Sequence, residues 1–257
     1  MKVYGLQLDI AWEAKHDNQA SIRGWLERIQ PQEGSLVVLP EMTCTGFTQR
    51  VEGLAEAAGG ETESFYAELA QQLKIALVGG VIHQGAGGKG RNVALVLAPN
   101  GRLADYCKIH PFTFGGETQF FEKGESIQTF EWSGIQVAPL ICYDLRFPEL
   151  FRSVAGVELY CVIANWPAAR EKHWMTLLQA RAIENQAYVI GVNRCGSDPK
   201  NQYSGRSLII DPQGTIVADA ASAEGFVEAS LDIEELRAYR RRFPALEDRR
   251  DLSLLQR

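Results

Sequence analysis

The chain has 257 residues, of which 46% are apolar and 23% charged, proportions that suit an ordinary globular protein with ample core material. A net charge of −6 with no basic stripe argues against a nucleic acid or a membrane surface as partner, since both call for a basic face. The N-terminus lacks the apolar core of a signal peptide and the length of a membrane span, and five scattered cysteines without a Cys-x-x-Cys pair point to the reducing cytoplasm and no structural zinc.

Residues 3–10 alternate as a first strand. Asp17 or Asn18 is placed to cap a helix whose apolar positions Ile22, Trp25, Leu26 and Ile29 recur at helical spacing. Residues 36–39 are continuously apolar, the mark of a strand covered on both faces, and the run ends near Glu41. A helix over about 63–74 precedes a strand through IALVGGVI. The glycine-rich QGAGGKGRN reads as a hairpin loop, because Gly90 stands where a phosphate loop needs Ser or Thr after its lysine. VALVLAPNGRLADYCK is a hairpin that turns at Pro99, Asn100 and Gly101 and ends on Lys108. Residues 135–141 lead into Cys142 and a short helix, followed by the strand ELYCVIAN, a helix over 172–186 and the strand AYVIGVNRC. SLIIDPQGTIVADA is a second hairpin, FVEASLDI a closing strand, and Asp232 with Glu235 resembles a capping box that opens the last helix. No linker or composition break divides the chain, so residues 1–257 are expected to form a single α/β domain of layered sheets with helices outside. The similar contexts of the two hairpins hint at a repeated two-sheet architecture.

Glu41, Lys108 and Cys142 each sit at the end of a strand-like run, which suggests that an acid, a cation and a thiol share one site. A free thiol with a pKa of about 8.5 is only slightly ionised at neutral pH, so a nucleophilic cysteine needs a base or a cation beside it. Glu41 is the candidate base, and Lys108 suits the oxyanion of a tetrahedral intermediate, with the Tyr143 N–H as second donor. Together they describe acyl transfer through a thioester, with water as the final acceptor. Taken singly, each has a plainer role as a buried small hydrophobe, a cap or a solvated strand end. A papain-like set of Cys142 with His110 or His173 and Asp144 lacks the local signatures of cysteine proteases, and without a Rossmann fingerprint no nucleotide cofactor is expected.

LPEMTCTGF, YCKIHPF and CYDLRFPEL, in this order, resemble the three motif blocks of the nitrilase superfamily of carbon–nitrogen hydrolases, and the resemblance covers nearly the whole chain. It implies a four-layer α-β-β-α sandwich, with Glu41 as general base and then acid, Lys108 as oxyanion stabiliser and Cys142 as nucleophile. Glu117 in FGGETQFF matches a second glutamate that positions substrate and lysine. ANWPAAREKHW, LLQARAIENQAYVIGVNRCGSD and RRRFP are most similar to bacterial omega-amidases. That similarity implies hydrolysis of the terminal amide of 2-oxoglutaramate, or of another dicarboxylate monoamide, with release of ammonia. Carbamoylases and other aliphatic amidases share the same three residues and are the alternative. A distal carboxylate on the substrate needs a cation at the far end of the pocket, for which Arg170 is the candidate, with Arg146 and Arg194 behind it. Trp166 is expected to line that pocket, and Arg146 with Glu149 to form an ion pair under the nucleophile loop. The superfamily also implies a homodimer; residues 243–257 are placed to cross its interface, and neither metal nor cofactor is expected.

Overall fold

A computed structural model describes residues 1–250, and in it the chain builds two six-stranded sheets. The first half supplies β1 (Lys2–Gln7), β2 (Leu36–Val38), β3 (Ala76–Gln84), β4 (Gly90–Ala98) and β5 (Gly101–Cys107). The second half supplies β6 (Phe130–Trp132), β7 (Ile135–Ile141), β8 (Leu159–Ala164), β9 (Tyr188–Asn193), the ribbon of β10 (Cys195–Ser197) and β11 (Gln202–Ser204), then β12 (Leu208–Ile210), β13 (Ile216–Asp219) and β14 (Gly225–Ser230). Parallel trios, β1-β2-β3 and β7-β8-β9, form the centres of the sheets. An antiparallel hairpin extends each trio on one side, β4-β5 beyond β3 and β12-β13 beyond β9. A single antiparallel strand closes the other side, β14 beside β1 and β6 beside β7. The two hairpins therefore hold equivalent places in two sheets of the same order, as their similar sequence contexts suggested.

Alternation along the strands decides which face meets which. Val3, Val38, Ala76, Val78, Ala94 and Val96 of the first sheet point into the core shared with the second. Their neighbours Tyr4, Leu6, Val37, Leu77, Leu95 and Leu97 point the other way, onto α1 (Lys15–Ile29) and α2 (Glu61–Leu73). At Gly5 an added β-carbon would lie 2.7 Å from Val192 Cγ2 of β9, so the two sheets meet closely there. After the single turn of α3 (Glu117–Phe120), the remaining helices α4 (Pro148–Ser153), α5 (Glu171–Asn185) and α6 (Ile233–Arg242) belong to the second sheet. Trp174, Leu178 and Ala182 of α5 pack on β9 and β12, completing a helix-sheet-sheet-helix sandwich.

Two local expectations need correction. Helix α1 begins behind Ala14 without a side-chain cap, so neither Asp17 nor Asn18 caps it. Asn18 instead turns inward, accepting from the Ala11 N–H at 2.8 Å and donating to the carbonyls of Ala11 (2.8 Å) and Cys44 (2.9 Å), which ties the segment after Glu41 to the helix. Asp232 does cap α6 by accepting the Glu235 N–H at 2.9 Å, but the Glu235 carboxylate pairs with Arg242 instead of closing a box. Phe243 follows α6 and its carbonyl accepts from Gln186 at 2.8 Å, while residues 251–257 of the expected interface segment lie outside the described residues. Among the described residues, no helix is long and apolar enough to cross a membrane.

All five cysteines are free and buried. Burial pushes the Cys44 thiol up to about 12 and Cys195 up to about 11, and it raises Cys107, Cys142 and Cys161 as well. A thiol that keeps its proton when folded and releases it when unfolded opposes folding as pH rises past about 8.5. The urea midpoint is expected to fall from pH 8 to pH 10, and a midpoint that held or rose over that range would contradict the buried thiols.

Candidate active site

Ligands of open α/β sheets bind beyond the carboxyl ends of the parallel strands, and there the structure gathers its buried charges. Glu41 lies three residues past β2, Lys108 directly follows β5, Cys142 directly follows β7 and Asn165 directly follows β8. Lys108 Nζ lies 2.9 Å from Glu41 Oε1, and 2.9 and 3.2 Å from the two carboxylate oxygens of Glu117. All three side chains are buried. Burial alone would push the Lys108 ammonium down, but the Glu117 and Glu41 carboxylates outweigh it and hold it well above the ordinary lysine range. The Asn92 side-chain amide donates to Glu41 Oε1 at 2.7 Å and to Glu117 Oε1 at 3.0 Å. Asn165 donates its N–H to Glu41 Oε2 at 2.8 Å and its side-chain amide to the Glu41 carbonyl at 2.7 Å. Glu117 opens α3 and also accepts the Phe112 N–H.

Cys142 takes a φ of 48°, a left-handed conformation that side-chain-bearing residues adopt only where their surroundings enforce it. Asp144 does the enforcing: its buried carboxylate accepts from the Ile141 N–H (3.1 Å), the His110 N–H (3.0 Å) and the Tyr106 hydroxyl (2.7 Å). Tyr106 and His110 stand either side of Lys108, so one carboxylate fastens the Cys142 turn to the Lys108 segment. Burial first, and then the negative charge of Glu41, keep the Cys142 thiol well above its ordinary value, although Lys108 pulls the other way. A thiol raised in this way favours its protonated form, so a nucleophilic step calls for a base to take the proton.

Cys142 and Lys108 open onto a cavity of about 220 Å³ walled by Phe47, Phe112, Tyr143 and Trp166. Arg146, Arg170 and Lys200 also line it, against the single carboxylate of Asp198. The Arg146 guanidinium lies 4.8 Å from the Trp166 ring centre, and that of Arg170 lies 5.4 Å from the Phe112 ring centre. Neither guanidinium pairs with a carboxylate among the described residues; the one hydrogen bond of the Arg146 guanidinium there is with His173 Nδ1, at 3.3 Å. Among the described residues, no cluster of three His, Cys, Asp or Glu side chains is arranged to hold a metal ion.

Tyr143, Trp166 and Arg170 thus share the cavity with Cys142 and Lys108, while Glu41 and Glu117 stand buried behind Lys108. Arg194 does not reach the cavity. It is buried under Tyr203 and bonded to Asp9 and to the carbonyls of Ile10 and Ser197, where it braces the β10–β11 ribbon. Arg146 and Glu149 form no ion pair, because Phe147 separates the 3-10 turn Cys142–Arg146 from α4 and the two residues share no helix face. His110 does meet Asp144, at 3.1 Å, but its ring stacks on Phe147 and does not line the cavity. Asn92, expected at the end of the glycine-rich loop, stands instead on β4 at the head of the apolar run VALVLA, where its amide joins the charge cluster.

Parallel-centred sheets packed face to face, with buried charge and a thiol at their strand ends, match one class of enzyme. The carbon–nitrogen hydrolase family matches residues 5–241, and the protein belongs to this family of hydrolases, which act on carbon–nitrogen bonds other than peptide bonds. The omega-amidase YafV of Yersinia enterocolitica is 41% identical over 254 residues, which span 96% of each chain. The 2-oxoglutaramate amidase of Bacillus subtilis is 33% identical over 252 residues, covering 96% of this chain and 97% of the relative. The crystal structure of XC1258 from Xanthomonas campestris, a CN-hydrolase superfamily protein, superposes with a TM-score of 0.92 at 33% identity over 98% of this chain and 97% of that one. Nit3 of Saccharomyces cerevisiae, a member of branch 10 of the nitrilase superfamily, superposes at 0.87 with 26% identity over 98% of this chain and 97% of that one. The expected superfamily and its sandwich architecture are borne out.

Proposed function

We propose that the protein hydrolyses the terminal amide of 2-oxoglutaramate, or of a closely related dicarboxylate monoamide, and releases ammonia through a thioester on Cys142. The cavity carries this reading: a thiol and a buried ammonium open into it, and arginines without carboxylate partners line it. At about 220 Å³ it is smaller than the roughly 300–1,000 Å³ of sites for drug-sized ligands, which suits a short aliphatic acid. The names of the Yersinia and Bacillus relatives point to the same substrate class.

In this mechanism Cys142 Sγ attacks the amide carbon while its proton passes to Glu41. The carbonyl oxygen gathers negative charge beside Lys108 and the Tyr143 N–H, and Glu117 holds Lys108 from its other side. Collapse breaks the carbon–nitrogen bond as Glu41 returns the proton to the departing nitrogen. Water then attacks the thioester carbon and gives a proton to Glu41, which restores the thiol as the acid leaves. One water is consumed and one ammonia released per cycle.

Acid-quenching the enzyme during turnover is expected to leave the acyl group on the peptide that contains Cys142. Ammonia accumulating while this peptide stays unmodified throughout would defeat the thioester, and carbon dioxide released alongside ammonia would mark a carbamoylase instead. Arg146 and Arg170 are the proposed carboxylate anchors. A charge-assisted hydrogen bond contributes about 1.5–3 kcal/mol, so Arg170→Ala and Arg146→Ala are each expected to raise KM about tenfold or more. The same changes should leave a neutral aliphatic amide unaffected. Unchanged KM in both variants would remove the anchors.

The reading extends to a cytoplasmic homodimer in which residues 1–257 act as a single domain. Five free thiols suit a reducing compartment, and Ile183 (54% exposed) and Phe243 (58%) leave apolar surface near the C-terminal end of α5. Light scattering is expected to give a dimer mass for the intact chain and a smaller mass after removal of residues 243–257. An intact chain that is monomeric would end the dimer proposal.

A further inference from the structure

The charge cluster around Lys108 is completed by a neutral side chain. We propose that Asn92 is a positioning residue for the reaction, which fixes Glu41 and Glu117 against Lys108 and thereby aims Glu41 at Cys142. This rests on the reading that Glu41, Lys108 and Cys142 carry the chemistry.

The geometry supplies the first reason. Asn92 lies on β4 opposite Ile82 of β3 and is 1% exposed. Its amide nitrogen donates to Glu41 Oε1 (2.7 Å) and Glu117 Oε1 (3.0 Å), and the same two oxygens lie 2.9 and 3.2 Å from Lys108 Nζ. Amide, carboxylate, ammonium and carboxylate thus close a ring in which donors alternate with acceptors. The Asn92 carbonyl also accepts the Lys108 N–H at 2.9 Å, so this one residue holds both carboxylates and the lysine backbone.

The second reason is the orientation of the amide. As placed, Asn92 Oδ1 is buried with no hydrogen-bond partner. Leaving a buried acceptor unpaired is unfavourable. Turning the amide over would set that oxygen against two carboxylate oxygens, so the unpaired carbonyl follows from keeping the NH2 group on both acids.

The third reason is charge. Two carboxylates and one ammonium carry a net negative charge in a buried site, and the amide offers two donors without adding a cation that would compete for Glu41. When Glu41 takes the thiol proton, Asn92 still holds Glu117 on Lys108. Asn92 does not line the cavity, so its effect falls on the chemical step and not on substrate binding.

Asn92→Leu keeps a similar shape and removes both donors. A catalytic group displaced by about 1 Å loses about 10²-fold, so kcat is expected to fall by that order while KM stays within twofold. Alkylation of Cys142 by iodoacetamide at neutral pH is expected to slow by a similar factor, because the neutral thiol has lost its oriented base. Alkylation needs no substrate: a wild type that alkylates readily yet leaves 2-oxoglutaramate intact would defeat the substrate reading, and the ratio of alkylation rates would still judge Asn92. A folded variant whose kcat and alkylation rate stay within threefold of wild type, or whose loss lies in KM, would overturn the proposal. Should the leucine variant fail to fold, Asn92→Ala is read by the same limits.

Discussion

Lys108→Met is expected to abolish turnover and to lower stability by about 3–5 kcal/mol, the typical effect of removing one partner from a buried ion pair. The side chain is buried apart from the edge it presents to the cavity, and both carboxylates bonded to its ammonium are buried. Methionine fills a similar volume but leaves Glu41 and Glu117 facing each other through the Asn92 amide alone. Urea unfolding at neutral pH tests this. A methionine variant as stable as wild type at neutral pH would mean that the lysine does not compensate the two acids.

Gly80→Ala is expected to lower kcat by about 10²-fold or more, although the residue makes no contact with the cavity. A β-carbon at this position of β3 would overlap Met42 N and stand 2.6 and 2.7 Å from the carbonyl carbon and Cα of Glu41. Those are backbone atoms, and they cannot swing aside. Gly80 is fastened to the segment on both sides, its N–H donating to the Pro40 carbonyl and its carbonyl accepting the Thr43 N–H, each at 3.2 Å. The added methyl must therefore shift Glu41 itself, with an overpacking cost of about 1–3 kcal/mol. Gly24→Ala on α1, where nothing lies within 4 Å of the new carbon, is the control and should leave kcat unchanged. Equal activity in both variants would show that the Glu41 turn tolerates displacement.

These two sites differ in how far the sequence revealed them. Lys108 and Cys142 were legible because each immediately follows a strand whose apolar run and turn residues are local signals, and the strands end where expected. The hairpins and α5 were legible for the same reason, whereas the parallel pairing of the central strands was not. Gly80 and Asn92 were not, because their importance arises only when β3 and β4 bring them against Glu41, 39 and 51 residues away in the chain. Asn18 shows local logic misleading: a residue type that favours helix caps was recruited by a carbonyl 26 residues further on. Arg194 failed as an anchor because a cation near the end of β9 was enclosed by the β10–β11 ribbon, a tertiary contact that charge alone does not announce. Arg146, second choice as an anchor, lines the cavity from the end of the 3-10 turn that Phe147 separates from α4.

Ammonia release from 2-oxoglutaramate, measured for wild type and for Cys142→Ala under the same conditions, tests the proposed chemistry most directly. Sustained release by wild type and none by the alanine variant is expected. Release that survives in folded Cys142→Ala would contradict the thioester, and a folded wild type that releases none would contradict the substrate.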